Sequence, residues 1–230
     1  GMTPQELKSS ILQLAIQGKL VEQRPEEGTG EELYQQIQAE KKRLIQEGKI
    51  KKEKPLPEIA EDEVPFEIPG SWKWVQIRDI AIKITDGTHH SPANYEQGKY
   101  RYVTAKNIKN QGVTLTNITY VSEDVHNEIF ARCNPEHGDV LLIKDGATTG
   151  VVTVNNLIEP FSMLSSVALL KMPSLVKCCF SAPAASSLPT PKNRGDLREH
   201  AVNLRVQRGA FLLIPLNQIH RIEDFLLLVG

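Results

Sequence analysis

The sequence is poor in cysteine and in long apolar runs. Its three cysteines are Cys133 and the adjacent pair Cys178 and Cys179. That number is too small for a disulfide framework, and no second pair exists to complete a structural zinc site. No segment approaches the roughly 20 apolar residues that a membrane helix needs. The sequence therefore predicts neither a disulfide-stabilised protein nor a membrane protein, and it favours a reduced, cytoplasmic setting.

The chain also has almost no net charge. Its 27 basic and 28 acidic side chains leave −1, so the strong global field of many nucleic-acid-binding proteins is missing. The distribution is uneven, because residues 1–70 carry an acidic excess and residues 176–230 carry a basic excess. Any nucleic-acid-binding face must therefore be a local patch.

The first 48 residues predict two helices. Thr3–Glu6 and Thr29–Glu32 both have the hydroxyl-to-glutamate spacing of a capping box, and apolar residues follow at helical spacing. Gly18 is the expected end of the first helix, and the second should run to about residue 47. The apolar stripe of the second helix is thin, which favours packing against a partner element. Its charged run Lys41–Arg43 predicts a solvated face.

A proline-rich linker separates these helices from a second domain. Four prolines keep residues 49–70 extended, and from Trp72 onward short β-prone runs alternate with turns. We predict an α+β fold, in which a mostly β globular domain over residues 71–210 follows a helical segment with one long helix. Helices are also expected over Val125–Arg132 and Asn217–Leu228. The expected strands are Trp74–Ile77, Tyr100–Thr104, Val113–Val121, Val140–Ile143, Val151–Val154, Ser166–Lys171 and Phe211–Leu216.

Residues 99–109 are rich in cations and contain no acidic residue. Cations anchor a DNA backbone, and amide or guanidinium groups read the major groove. The other interpretation is a strand with a solvated charged face followed by a turn. The candidate DNA contacts are Lys99, Arg101, Tyr102, Lys106, Asn107 and Lys109.

The loop that begins with Asp86 contains two adjacent histidines. Thr88, His89 and His90 are candidate DNA contacts through hydrogen bonds to bases or phosphates. Metal ligation is a rival interpretation, although adjacent histidines point in different directions and lack the spacing of a helical ligand pair. An ordinary surface turn is the third.

The glycine-rich segment Gly138–Gly150 predicts a tight turn between two strands. It lacks the Gly-Lys-Ser/Thr ending of a phosphate-binding P-loop. Its small residues still permit close approach of a backbone, so Lys144 and Thr148 are candidate phosphate contacts. Asp139 is expected to tie the turn by hydrogen bonds rather than to act as an acid.

The sequence shows no catalytic constellation. A metal-dependent nuclease needs clustered carboxylates, and no spaced acidic pair lies on one predicted strand. A nucleophile elbow, a metalloprotease helix and a defensible cysteine–histidine pair are also missing. We therefore expect a non-catalytic protein that uses no metal of its own.

Several segments occur in an order typical of one family. Leu7–Val21 looks like a conserved helical region, followed by the linker Lys51–Pro57 and by Ile68–Trp72. Gly138–Gly150 is similar to a glycine-rich strand and loop of target recognition domains. Ile214–Ile222 is similar to the phrase that opens a further conserved helix. On these segments, the sequence resembles the specificity subunits of Type I restriction–modification systems.

The resemblance implies a division of labour. Full-length members carry two target recognition domains, which read the two halves of a split DNA site, held apart by long antiparallel helices. They dock modification subunits that bind S-adenosylmethionine and methylate adenine, and a restriction subunit joins for cleavage. The implied partners of this chain are double-stranded DNA and those subunits. No cofactor is expected in this chain, because S-adenosylmethionine, ATP and Mg²⁺ would belong to the partner subunits.

The resemblance also divides the chain. Residues 2–48 correspond to the conserved helical region, 49–70 to a linker, 71–210 to the recognition domain and 211–230 to the truncated start of a second conserved region. The stretch 176–210, with its paired cysteines and a proline-rich run, departs from the family pattern. A homodimer through the long helix is a further implied possibility. The expected partner-binding residues are Leu7, Ile11, Leu14, Leu33, Ile37 and Leu44.

We therefore expect a non-catalytic, cytoplasmic subunit that recognises double-stranded DNA sequence-specifically and directs methyltransferase and restriction subunits to a split site. The first alternative is a helical scaffold or adaptor without DNA affinity, and the second is a metal-dependent nuclease.

Overall fold

The structure is a computed structural model that describes residues 28–54, 59, 67–174 and 176. It also describes nine separate residues between 3 and 19 and the backbone of three short strands between 204 and 229. The paired cysteines 178 and 179, most of the stretch 176–210 and half of the predicted linker lie outside the described residues. Cys133 is a buried free thiol.

The described helices and strands form an α+β fold with a mostly β core, as the sequence predicts. A 3₁₀ turn over Ala105–Asn107 follows the strand Tyr100–Val103. In chain order the elements are α1 (Gly30–Gln46), β1 (Lys73–Gln76), α2 (Ile77–Ile80), β2 (Lys83–Asp86), β3 (Tyr100–Val103), β4 (Ile108–Lys109), β5 (Gly112–Val113), β6 (Thr119–Val121), α3 (Glu123–Arg132), β7 (Val140–Ile143), β8 (Val152–Val154), β9 (Phe161–Met163), β10 (Val167–Lys171), β11 (Leu204–Arg205), β12 (Ala210–Leu213) and β13 (Leu226–Val229).

The predicted capping boxes are both present. At α1, the Thr29 hydroxyl accepts from the Glu32 backbone N–H at 3.2 Å, and the Glu32 carboxylate accepts from the Thr29 N–H at 2.8 Å. Thr3 and Glu6 make the same reciprocal pair at 3.3 and 2.7 Å. These bonds satisfy backbone donors that the first turn of a helix leaves unpaired. The predicted end of α1 is also confirmed, since Gly48 follows it in the left-handed region at φ 70°.

The central sheet is antiparallel, with strand order β2-β10-β7-β8. Every residue of β7 and β10 is buried. Side chains alternate between the two faces of a strand, so each strand contributes to two cores. Leu142 and Leu170 pack on one face with α2, whereas Leu141 and Leu169 pack on the other with β9.

Helix α1 packs on the first of these faces. Ile37 is fully buried in that core, and Leu33 packs beside it. The helix therefore packs against a partner element, as predicted, and that element is the central sheet of the same chain. Lys41 departs from its predicted solvated position, because its Nζ donates to the carbonyls of Arg78 and Asp79 at 3.0 and 2.8 Å. Burial there lowers the pKa of Lys41.

Two smaller sheets cover the second face. β3 pairs with β6 in antiparallel and with β9 in parallel, and β4 and β5 form a hairpin. The strand predicted over Val113–Val121 is in fact two short strands, β5 and β6, separated by a loop. Asn117 in that loop has φ 54°, a left-handed conformation that interrupts a strand.

The C-terminal strands differ from the helical segment that the resemblance implies. β1 pairs with β13, and β12 joins β13 to β11, all in antiparallel. Residues 210–213 and 226–229 are therefore strands, so the helix predicted over Asn217–Leu228 is wrong at its end. The remainder of that segment lies outside the described residues. Among the described residues, no helix is long and apolar enough to cross a membrane.

Candidate nucleic-acid interface

The loop after β2 is fixed at its base by the backbone of β9. A Cβ atom at Gly87 would lie 2.1 Å from the Met163 carbonyl oxygen, so glycine is required for this close approach. The Thr88 N–H donates to the same carbonyl at 2.8 Å, and the Thr88 carbonyl accepts from the Ser165 N–H at 2.8 Å. Residues 89–94 then extend from this anchored base between two polar surfaces.

The first surface, which we call the cationic cluster, consists of Asp86, His89, Arg132 and Lys144. The carboxylate Oδ1 of Asp86 accepts from the Arg132 guanidinium and lies 3.3 Å from His89 Nε2. Its Oδ2 accepts from Lys144 Nζ at 2.6 Å. Arg132 also donates to the backbone carbonyl of Asp86 at 3.3 Å.

The fold brings these four residues together from the ends of separate elements. β10 pairs Ala168 with Asp86 on one edge and Val167 with Ile143 on the other, so Lys144 follows β7 at the same end of the sheet. Arg132 ends α3, where Lys83 Nζ donates to its carbonyl at 2.6 Å. The positive charge of a lysine at this position also interacts favourably with the negative end of the helix dipole.

The cluster presents positive charge to the solvent. The Asp86 side chain is 13% exposed, whereas those of His89 and Arg132 are 58% and 51% exposed. An arginine and a lysine face a single carboxylate, so the formal charge of the cluster is positive without any contribution from His89. This arrangement suits contact with a phosphate oxygen.

The second surface, which we call the polar groove, is a cavity of about 540 Å³ beside β3 and the β4–β5 hairpin. None of its described lining residues is acidic, and Leu164 is its apolar member. Hydroxyl and amide groups with two nearby lysines suit a polyanion that displays hydrogen-bonding edges. The lining residues are Ser91, Asn94, Tyr102, Thr104, Lys106, Asn107, Lys109, Thr114, Thr116, Asn117, Thr119 and Leu164.

Tyr102 lies in the groove wall with its hydroxyl unsatisfied. The residue is 4% exposed, and its Oη has no hydrogen-bond partner among the described residues. Burial raises the pKa of Tyr102 to about 12. The hydroxyl therefore remains protonated near neutral pH and can donate as well as accept.

Asn107 differs from the contact predicted for it. It is buried, and its Oδ1 accepts from the Thr104 N–H at 3.1 Å. Its Nδ2 donates to the carbonyls of Thr114 and Thr116 at 3.2 and 3.4 Å. Because these bonds occupy the amide, Asn107 shapes the groove rather than offering a free group for base reading.

Lys99 and Arg101 do not join the groove lysines in one cationic patch. Arg101 forms an ion pair with Glu159 at 3.1 Å. Lys99 Nζ lies 4.8 Å from the centre of the Tyr100 ring, and that tyrosine donates to Glu123 at 2.5 Å. Alternation along β3 separates neighbouring side chains that the sequence places close together.

The remaining predicted contacts are peripheral to the groove. His90 is exposed, and its backbone N–H donates to the Thr88 hydroxyl at 3.3 Å. Thr148 is exposed in the turn after Lys144, which is closed by a bond of 2.7 Å from the Thr149 hydroxyl to the Gly146 carbonyl. Thr148 therefore lies in the turn that follows Lys144, which is a member of the cationic cluster.

Sequence reasoning missed Arg132 and the organising role of Asp86. The two residues are 46 positions apart, and neither belongs to a motif that links them.

Asp139 behaves as expected, since it accepts from the Glu136 N–H at 2.9 Å; it also accepts from Lys171 Nζ at 2.9 Å. No group of three or more metal-ligating residues occurs in the described part of the chain.

The predicted partner-binding residues divide into two sets. Leu7, Ile11 and Leu14 are all exposed and follow helical spacing. Ile37 is fully buried in the core on the first face of the central sheet and Leu33 packs against the same core, so the prediction of a partner-facing Ile37 is wrong. Leu44 is partly exposed.

Comparison with known proteins identifies relatives of part of the chain. No family model matches the sequence. A segment of 81 residues, 35% of this chain, is 48% identical to the Type I restriction enzyme EcoEI specificity subunit of Escherichia coli. A segment of 76 residues, 33% of this chain, is 51% identical to the EcoAI specificity subunit of the same species. About a third of this chain is therefore similar to Type I specificity subunits.

These matches confirm the resemblance to Type I specificity subunits that the sequence motifs indicate. They span 14% and 13% of the two relatives, so they concern only a small part of each protein. The HsdS subunit from Thermoanaerobacter tengcongensis overlaps 93% of this chain and 46% of its own at 16% identity, with a TM-score of 0.37. A chain from a structural study of Type I restriction–modification assembly overlaps 75% of this chain and 38% of its own, at 17% identity and a TM-score of 0.37. At this TM-score, the overlaps support no conclusion.

Proposed function

We propose that this chain recognises double-stranded DNA sequence-specifically, as the target-reading part of a Type I specificity subunit. In this role it directs methyltransferase and restriction subunits to one half of a split site. The observation that carries the proposal is the identity of 48% and 51% with two proteins named as Type I specificity subunits. The polar groove and the cationic cluster supply a surface of suitable chemistry.

The two surfaces divide the recognition task. Lys106 and Lys109 at the groove and Arg132 and Lys144 in the cluster anchor phosphates. Phosphate contacts position a protein but carry no sequence information. Sequence is read by the hydroxyl and amide groups of the groove, together with the exposed loop 89–94, because base edges are distinguished by their donor and acceptor patterns.

The proposed role requires no chemistry from this chain. Methyl transfer and DNA cleavage are assigned to the partner subunits, which would also hold S-adenosylmethionine, ATP and Mg²⁺. The proposal places the complex in the cytoplasm. The exposed apolar stripe of Leu7, Ile11 and Leu14 is the proposed docking surface for the modification subunit, since contiguous exposed apolar residues are typical of protein interfaces. A second copy of this chain is a further proposed partner.

The helical scaffold is the second candidate function. The exposed stripe supports it, because a docking role needs no DNA affinity. The two functions make opposite predictions for the purified chain. A scaffold binds the modification subunit and shows no preference among duplexes, whereas a recognition subunit selects a short motif.

Selection from a random duplex pool tests the proposal. The full chain is used alone and with its modification subunit, at 50 and 200 mM salt. We expect one enriched motif, for which the affinity falls as the salt concentration rises. The slope of log affinity against log salt is proportional to the number of phosphates engaged. An absence of enrichment under every condition would contradict DNA recognition and favour the scaffold.

Lys106→Ala tests whether the groove is the binding surface. We expect weaker binding to the selected duplex and a reduction of about one in the slope of log affinity against log salt. The matched control is Lys42→Ala, which removes an exposed lysine from α1, on the opposite face of the central sheet. Equal losses in both variants would show that binding follows net charge rather than the groove.

A further inference from the structure

The cationic cluster contains an acidic residue, Asp86, although a negative charge weakens the attraction of the cluster for an anion. Asp86 lies beneath the basic groups that would meet a phosphate, and a carboxylate repels an anion. Both of its oxygens are nevertheless committed. Oδ1 accepts from the Arg132 guanidinium and lies 3.3 Å from His89 Nε2, and Oδ2 accepts from Lys144 Nζ at 2.6 Å.

These contacts orient side chains that are otherwise flexible. Arginine and lysine have long side chains with many rotamers, and ordering them on binding costs conformational entropy. Arg132 ends a helix and Lys144 follows a strand, and the Asp86 carboxylate is the described acceptor that contacts the charged groups of both. Asp86 is 13% exposed and itself anchored in β2 by its pairing with Ala168.

We propose that Asp86 is a positioning residue for a DNA phosphate clamp formed by Arg132 and Lys144. The carboxylate holds the two cations before DNA arrives, and their free donors contact the backbone phosphates. His89 lies at the exposed edge of the same clamp. This inference rests on the proposed function, since it assumes that the chain binds duplex DNA.

The proposal makes a prediction opposite to that of simple charge counting. Asp86→Asn removes a negative charge near the DNA, so net charge alone predicts tighter binding and a steeper salt dependence. Loss of the positioning contacts instead predicts weaker binding and a shallower salt dependence. Each phosphate contact contributes about 0.9 to the slope of log affinity against log salt.

The experiment compares the full wild-type chain with Asp86→Asn on the duplex that the wild type selects, between 50 and 200 mM salt. We expect the magnitude of the slope to fall by about 0.9 to 1.8 in the variant, for one or two lost contacts. Over this fourfold range of salt, the wild type should then lose about 3.5- to 12-fold more affinity than the variant. Partial unfolding would reduce the active fraction and leave the slope unchanged.

Asp145→Asn is the matched control. Asp145 is exposed in the turn next to Lys144, and the substitution makes the same change in charge. We expect binding to be unchanged or slightly tighter. In the Arg132→Ala, Lys144→Ala background, Asp86→Asn should cause no further reduction of the slope, because the cations that it positions are already absent.

The outcomes separate this inference from the proposed function. A wild type that selects a motif, together with an Asp86→Asn variant that binds as tightly with an unchanged or steeper slope, overturns the inference alone. A wild type that binds no duplex overturns both. If Asp86→Asn does not fold, Arg132→Gln and Lys144→Gln should each lower the slope by about one, and an unchanged slope in both overturns the clamp.

Discussion

Replacing Tyr102 by phenylalanine should stabilise the folded chain. The substitution keeps the ring that packs against Val121 and Ile129 and removes a hydroxyl that has no partner among the described residues. An unsatisfied buried polar group costs about 1–3 kcal/mol. We take the lower end, because the hydroxyl lies beside a cavity, and expect the free energy of unfolding to rise by about 1 kcal/mol. For a chain of this length, the melting temperature should rise by about 2–4 °C.

The advantage of the variant should grow in alkaline solution. The pKa of Tyr102 rises from its ordinary value of 10.0 to about 12 in the folded chain, because burial disfavours the phenolate. Between these two values the unfolded chain loses a proton that the folded chain keeps, so the stability of the wild type falls as pH rises. The free energy of unfolding of the wild type then falls by up to about 1.4 kcal/mol per pH unit. The phenylalanine variant has no ionisable group at this position and does not show this fall.

Urea denaturation of both proteins at pH 7 and at pH 10–11 measures these differences, provided that unfolding remains reversible. Tyr100→Phe is the matched control, since the Tyr100 hydroxyl donates to Glu123 at 2.5 Å. That variant should be slightly less stable than the wild type, by about 0.5–1.5 kcal/mol. A lower unfolding free energy for Tyr102→Phe would refute the reasoning, because it would mean that the hydroxyl is satisfied in the folded chain.

Three further substitutions test the packing that supports the site. Asn107→Ala should cost about 2–3 kcal/mol in urea denaturation, because it leaves backbone groups of the groove loop unpaired; a cost below 0.5 kcal/mol would contradict this role. Asp139→Ala should cost about 3 kcal/mol at neutral pH, because the nearly buried Lys171 loses a carboxylate. Among the described residues it would then keep only its contact with Glu136. Equal stability would show that Lys171 is already well solvated. Ile37→Ala should lower the free energy of unfolding by about 2–5 kcal/mol and reduce the melting temperature of the whole domain. If α1 instead melted separately and the transition of the domain stayed unchanged, the packing described for this helix would be contradicted.

Local features of the fold were predictable from the sequence. Both capping boxes rest on pairs three residues apart, and β7 appears as the apolar run Val140–Ile143. The missed strands β2 and β9 are short, and neither has a clear alternating pattern. The buried position of Ile37 was also missed, because a thin apolar stripe gives no information about which surface covers it.

The candidate site was predictable only in part. Lys106 and Lys109 reach the groove because the turn after β3 carries them there, whereas Arg101 is drawn away by Glu159, 58 positions later. The cationic cluster joins Asp86 to side chains that are 46 and 58 positions away in the chain. Such contacts depend on the order of strands in the sheet, which residue spacing does not encode.

The anchoring of the loop after β2 has a consequence for how recognition can diversify. Thr88 is held by the backbone of Met163 and Ser165, and Tyr95 exchanges two backbone hydrogen bonds of 2.9 Å with Tyr120. The six residues between these anchors, 89–94, are mostly exposed and contribute little to the core. Substitutions there can change the groups presented to a binding partner while leaving the supporting sheets intact. In the proposed recognition role, new specificity can therefore arise in this segment at small cost to folding, as it does in other proteins that carry variable loops on a rigid scaffold.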